Sequence, residues 1–113
     1  MALNQWTTQI EQELTHAENA RAAGNEGMAR VCARRAAGLA IRAYLENQNL
    51  PVHSSSAYDL LARLPDLPGV SAACRAAAGH LLTRVDESFN LPQPVDLIAQ
   101  ARLIAAELNP SQG

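Results

Sequence analysis

Lysine is absent from this chain of 113 residues, so each of its nine basic residues is arginine. Eleven acidic residues bring the formal net charge to −2, which excludes the general positive field on which non-specific nucleic-acid binding depends. Aromatic residues are also scarce: Trp6, Tyr44, Tyr58 and Phe89. So few rings leave little material for a surface that stacks single-stranded bases. Any site for an anion must therefore be local.

Only two cysteines are present, Cys32 and Cys74, and they form neither a CxxC motif nor a disulfide-dense pattern. Each lies among apolar residues of helical spacing, where a free thiol behaves as a small buried hydrophobe. The N-terminus lacks the basic leader and apolar core of a signal peptide, and no apolar run approaches the length of a membrane span. We expect a reduced, soluble, cytoplasmic protein without a membrane partner.

No segment has a convincing strand pattern, whereas five segments repeat apolar residues at helical spacing. The predicted helices cover about residues 4–23, 26–47, 56–64, 70–88 and 95–108, and residues 1–113 form one domain. A domain of this size buries about two-thirds of the surface of its unfolded chain. The predicted fold is all-α: an antiparallel up-and-down bundle of four long helices and one short helix.

The helix over residues 28–46 is predicted to be central, because apolar residues surround most of it. Four arginines interrupt these apolar residues. At about 100° per residue, Arg30 and Arg34 share one face of the helix. Arg35 and Arg42 share another, so the helix carries two basic ridges. The alternative is that these guanidinium groups reach the surface and pair with glutamates at the helix ends or on neighbouring helices.

Three histidines are the side chains best suited to acid–base chemistry near neutral pH. Glu13 and His16 have the ExxH spacing of di-iron bundles, but the motif does not recur, so we expect no metal site. Arg75 and His80 are a more suggestive pair. An arginine that holds a phosphate and an imidazole that moves a proton are the minimum for cleaving RNA through its 2′-hydroxyl.

The spacing of Arg75 and His80 limits how they can act together. Five residues of separation put them about 140° apart around a helix, so they converge only between two subunits or across a groove. The alternative is structural, with Arg75 at the solvent edge and His80 as a polar residue between helices.

Over about residues 10–108 the chain resembles the HEPN-domain proteins. That family carries an A-A-E-x-x-x-K-A-x-L-type pattern in its second helix, followed by a loop and H-D-L-x-x-L. The positions that match the first pattern, with Arg for Lys, are Ala36, Ala37, Arg42, Ala43 and Leu45. The second pattern is matched in part by Asp59, Leu60 and Leu64. The chain departs from the family at Gly38, where glutamate is usual, and at Ala57 or Tyr58, where histidine often stands.

Ribonuclease members of the HEPN family use an R-x4–6-H motif late in the bundle, and Arg75 and His80 fit that spacing. The polar residue common after the arginine is replaced by Ala76. The resemblance implies a small helical dimer, often encoded with a minimal nucleotidyltransferase in toxin–antitoxin or defence settings. It also implies phosphate contacts by Arg35 and Arg42, and a dimer cleft that holds Arg75 and His80.

These patterns leave three hypotheses for the function. The first is a non-catalytic, HEPN-like, dimeric module that binds a nucleotide or a partner protein such as a nucleotidyltransferase, with no cofactor. The second is a metal-independent endoribonuclease of the toxin type that uses Arg75 and His80. The third is a structural helical adaptor whose apolar grooves accept a partner helix. A homodimer is expected on general grounds as well, since alanine-rich helices favour close, symmetric association.

Overall fold

A computed structural model describes the backbone of residues 3–83 and 96–108, with side chains from residue 5 onward in these ranges. The described residues form five α-helices and no strand, which confirms the all-α prediction. The helices are α1 (Leu3–Ala22), α2 (Glu26–Asn47), α3 (Ala57–Arg63), α4 (Ala72–Leu82) and α5 (Leu97–Leu108), with a 3₁₀ turn at Leu64–Asp66. No helix in these ranges is both long and apolar enough to cross a membrane.

α2 is the central helix, as its sequence predicts, and it packs against each of the other four α-helices. Its buried residues occupy most of its circumference and are mainly alanine: Ala29, Cys32, Ala33, Ala36, Ala37, Gly38, Ala40, Ile41, Ala43 and Leu45. Because these side chains are small, the neighbouring helices approach α2 closely. Among the described residues, those that are fully buried are apolar and none is polar or charged.

α1 and α2 form the antiparallel hairpin that the break at Gly24 and Asn25 predicts. Gly24 has a φ of +83°, a backbone conformation that glycine adopts without strain. Asn25 caps α2, and its side chain accepts a hydrogen bond from the Met28 N–H at 3.0 Å. At the open end of the hairpin, the Arg42 guanidinium lies 5.6 Å from the centroid of the Trp6 ring. The beginning of α1 therefore lies beside the end of α2.

α3 crosses α2 at Gly38, where the absence of a side chain allows a close approach. A Cβ atom at this position would lie 3.0 Å from both Cα and Cβ of Ala57. Ser56 caps α3 by accepting a hydrogen bond from the Asp59 N–H at 3.4 Å, as the spacing of the two residues predicts. The Arg63 side chain donates to a backbone carbonyl in the loop before α3. The glycine that departs from the HEPN pattern thus allows α3 to pack directly on α2.

α4 ends earlier than its sequence predicts. The helix spans eleven residues and stops at Leu82, because Thr83 has an extended backbone with φ −65° and ψ 129°. The last carbonyl groups are taken by an arginine of α2 instead of by a further helical turn. The predicted helix extended to residue 88, and residues 84–88 lie outside the described part of the chain. The arrangement of four long helices and one short helix is therefore not confirmed.

α5 is fixed to α1 by charged side chains and runs antiparallel to it. Asp96 accepts a hydrogen bond from Arg21 at 2.8 Å and also accepts from two backbone N–H groups in the first turn of α5. Further along, Arg102 donates to Glu18 at 2.7 Å. The start of α5 therefore lies at the end of α1. Asp96 caps the helix, which explains why α5 begins at Leu97 rather than at residue 95.

Candidate functional site on the outer faces of α2 and α4

One narrow face of α2 is only partly covered by the described chain, and we call it the outer face of α2. Its members follow one another at intervals of three or four residues: Met28, Val31, Arg35, Leu39 and Arg42. At about 100° per residue they occupy about 80° of the helix. Met28 and Val31, 45% and 37% exposed, are two of the three large apolar residues that are exposed in the described ranges. The outer face thus combines apolar surface with two guanidinium groups.

Arg42 lies at one end of the outer face and is only partly paired. Its guanidinium is stacked over Trp6 in a cation–π arrangement. The Nε atom is 3.7 Å from Oε1 of Glu46, which is too long for a hydrogen bond. Nε is buried and has no hydrogen-bond partner among the described residues. Because Nε is covered, a partner can reach Arg42 only through the rest of its side chain, which is 41% exposed.

Arg35 is exposed and forms no hydrogen bond or ion pair with another described residue. Burial raises the pKa of the nearby Cys32 thiol, as does Glu13, while the Arg35 charge acts in the opposite direction. On the α1 side of this surface, Oε2 of Glu13 is buried without a hydrogen-bond partner within the described ranges. Arg35 and Arg42 are seven residues apart, or about 10 Å along the helix axis.

Arg34 has a structural role that its neighbour Arg35 lacks. Its Nε donates to the Leu81 carbonyl at 2.6 Å and its Nη2 to the Thr83 carbonyl at 3.3 Å. A cation at this position satisfies free carbonyl groups and complements the negative end of the α4 dipole. Burial lowers the pKa of Arg34, and the charge of Arg30 lowers it further. In the predicted ridge of Arg30 and Arg34, the second arginine thus serves the packing of α4.

Arg75 and His80 both lie on α4, but one protomer does not bring them together. Arg75 is exposed and His80 is half-buried, and neither side chain has a hydrogen bond or ion pair within the described residues. The two side chains lie on either side of an exposed stripe of the helix surface, which is formed by Ala72, Ala76 and Gly79. A Cβ atom on Gly79 would meet no atom within 4 Å. A site that uses both Arg75 and His80 must therefore span this stripe, either between two protomers or across a groove.

A polar cluster that no sequence pattern predicts lies where the start of α4 meets the end of α5. The Ser71 N–H donates to Glu107 at 2.9 Å, and the Ser71 hydroxyl donates to the same carboxylate. This hydroxyl also accepts a hydrogen bond from the Cys74 N–H at 3.0 Å. Ser71 can be predicted from the sequence as an N-cap residue. Its partner Glu107 cannot, because it lies 36 residues away in the chain.

The ionisation of this cluster indicates a structural role. Burial, together with the charge of Glu107, raises the pKa of the Cys74 thiol to about 12. A thiol with this pKa is not a nucleophile at neutral pH. The hydrogen bonds from Ser71 lower the pKa of Glu107, so the carboxylate remains ionised where it holds the first turn of α4.

Within the described ranges, no three His, Cys, Asp or Glu side chains come together as a possible set of metal ligands. His16 of the ExxH pair is exposed on α1, and Glu13 is directed towards the Cys32 thiol.

Comparison with known proteins finds no match to the chain among family models, curated proteins or solved structures. The candidate surfaces are therefore defined by geometry: the outer face of α2, with Arg35 and Arg42, and the stripe of α4, with Arg75 and His80 on either side of it.

Proposed function

We propose that this protein is a non-catalytic helical module, arranged as in HEPN domains, that dimerises and binds a partner protein or a nucleotide. The observation that carries the proposal is the outer face of α2. A central helix that is buried on its other sides exposes Met28 and Val31 there, beside Arg35 and Arg42. Adjoining apolar and incompletely paired charged groups are typical of a surface that a partner covers.

The order of the helices supports the HEPN-like arrangement. A hairpin of two long helices is followed by a loop, a short helix with a serine cap and two closing helices. Arg42 stands at the family's lysine position and belongs to the outer face. In this proposal, Arg35 and Arg42 contact the phosphate or carboxylate groups of the bound partner.

We place the dimer contact of this proposal on the α4 stripe. Ala72, Ala76 and Gly79 are exposed and leave room for another backbone to approach. Association of one patch with its own copy about a two-fold axis is the commonest form of homo-oligomer. Such a contact would leave the outer face of α2 free for a different partner.

Sedimentation velocity in the micromolar range tests the dimer. Ala76→Arg introduces a long charged side chain into the stripe and should give a monomer. Ala62→Arg, which changes another exposed helical alanine, is the matched control and should remain dimeric. The proposal is overturned if the wild-type protein is monomeric and shows no saturable binding of ATP or of a protein partner.

A second candidate function is a metal-independent ribonuclease, favoured by the positions of Arg75 and His80 on the two sides of the α4 stripe. Parallel packing of two copies of α4 would place Arg75 of one protomer on the same side as His80 of the other, whereas antiparallel packing would separate them. His80 would then take the proton from a 2′-hydroxyl. The freed oxygen attacks phosphorus, the bond from phosphorus to the 5′-oxygen breaks, and the 5′-oxygen takes a proton from water, while Arg75 holds the negative phosphate.

Hydrolysis of labelled RNA in the presence of EDTA tests this second candidate. Arg75→Ala and His80→Ala should each abolish cleavage. A mixture of the two variants forms hybrid dimers with one intact shared site, so it should recover about a quarter of the wild-type rate. An inactive wild-type protein excludes the ribonuclease, and cleavage without recovery in the mixture excludes a site shared between protomers.

A further inference from the structure

The apolar part of the outer face has the spacing of a helix–helix contact. Val31, Arg35 and Leu39 lie along one i, i+4 ridge of α2, Met28 lies one turn before Val31, and the whole face extends from residue 28 to residue 42. At 1.5 Å per residue this is about 21 Å, a length that a second helix covers and a single nucleotide does not. Ridges formed at intervals of three and four residues pack into the grooves of another helix.

The charges of the outer face indicate the chemistry of that second helix. Arg35 has no ionic partner among the described residues. Arg42 forms one long ion pair, of 3.7 Å, with Glu46 and donates no hydrogen bond to a described residue. Both groups are donors only, so the covering surface must supply acceptors, and carboxylates match guanidinium groups best.

We propose that the outer face of α2 binds an amphipathic helix of another protein, with two acidic residues seven positions apart beside an apolar seam. The proposal rests on the function proposed above and specifies its partner. Two carboxylates seven residues apart on the bound helix are about 10 Å from one another, which matches the separation of Arg35 and Arg42. The apolar seam covers Met28, Val31 and Leu39.

A displayed library of helical peptides of about 20 residues, selected on the full-length protein, tests the partner chemistry directly. The recovered peptides should be enriched in pairs of Asp or Glu seven positions apart, next to a seam of Leu, Ile, Val or Met. Their binding should weaken as the salt concentration rises, because part of it comes from exposed charges. A selection that recovers binders without this enrichment overturns the proposal.

Three variants locate the binding site on the protein. Val31→Glu should abolish binding of the best acidic peptide, and Arg35→Glu should weaken it about tenfold by turning an attraction into a repulsion. A peptide with lysine in place of its acids should bind Arg35→Glu better than it binds the wild type. The matched control is Arg30→Glu, the same charge reversal on another face of α2, which should bind the acidic peptide as the wild type does.

Other outcomes separate this inference from the proposed function. One outcome is that ATP binds, that Arg35→Glu abolishes this binding, and that the selection recovers no helical peptide. The ligand of the outer face is then a phosphate compound, so this inference fails and the proposed function stands. If Val31→Glu dissociates a wild-type dimer, a second copy of the chain covers the outer face and the inference fails. If there is neither dimer, nor ATP binding, nor peptide binding, both fail.

Discussion

Replacing Arg34 with alanine removes the hydrogen bonds that the side chain donates to the carbonyls of Leu81 and Thr83, at 2.6 and 3.3 Å. A hydrogen bond to a charged group contributes about 1.5–3 kcal/mol, and the longer bond adds less. The loss is reduced because the variant no longer buries a cation beside Arg30. We therefore expect the free energy of unfolding to fall by about 2 kcal/mol. For a chain of this size, the melting temperature should fall by about 8 °C.

Urea unfolding followed by circular dichroism measures this loss. Arg30→Ala is the matched control, because Arg30 lies one turn earlier on α2 and forms no hydrogen bond or ion pair with a described residue; its removal should leave stability unchanged or slightly raised. Arg34→Lys keeps the positive charge but not the planar set of N–H donors, so its free energy of unfolding should fall by about 1 kcal/mol. If Arg34→Ala is no less stable than Arg30→Ala, Arg34 does not hold the end of α4.

Four further predictions concern the packing and the ionisation of the fold. Gly38→Ala should lower the free energy of unfolding by about 1–3 kcal/mol, because its methyl group meets the α3 backbone at 3.0 Å. Gly79→Ala should raise it by about 0.5–1 kcal/mol, since that site has open space, and equal effects of the two changes would contradict the packing argument. Cys74, with a pKa of about 12, should resist alkylation at pH 8 until urea unfolds the chain, and rapid labelling of the folded protein would refute its buried position. Glu107 has a lower pKa in the folded chain than in the unfolded chain, so it stabilises the fold above its unfolded pKa, and this contribution is lost as the pH falls through the folded value. Glu107→Gln should therefore lose less stability than the wild type as the pH falls below the ordinary pKa of a glutamate; the difference should be small because the site is exposed, and parallel pH profiles would exclude the effect.

The elements that the sequence predicts well are those whose signals are local. Gly24 and Asn25 mark the turn between α1 and α2 because a positive φ and a side-chain cap act within a few residues. The same holds for Ser56 at the start of α3. The end of α4 at Leu82 was not predicted, because its carbonyls are satisfied by Arg34, 47 residues earlier in the chain.

In the candidate site, too, the sequence does not show which residues the tertiary structure covers. Arg34 and Arg35 are neighbours of the same type, yet Arg34 donates to α4 and Arg35 points to solvent. Helical periodicity correctly separates them onto different faces, but only the packing of α4 decides which face is covered. The start of α4 is predictable only in part. Ser71 can be recognised in the sequence as an N-cap residue, but its partner Glu107 is brought to it by the tertiary structure.

The stacking of Arg42 on Trp6 gives the protein an intrinsic fluorescence probe of the outer face of α2. Trp6 is the only tryptophan of the chain, is 4% exposed, and lies under a guanidinium that belongs to the outer face of α2. Indole emission responds to nearby charge and to polarity. A ligand that draws Arg42 away from the ring therefore changes the fluorescence of this one residue, and occupancy of the outer face can be recorded on the unmodified protein.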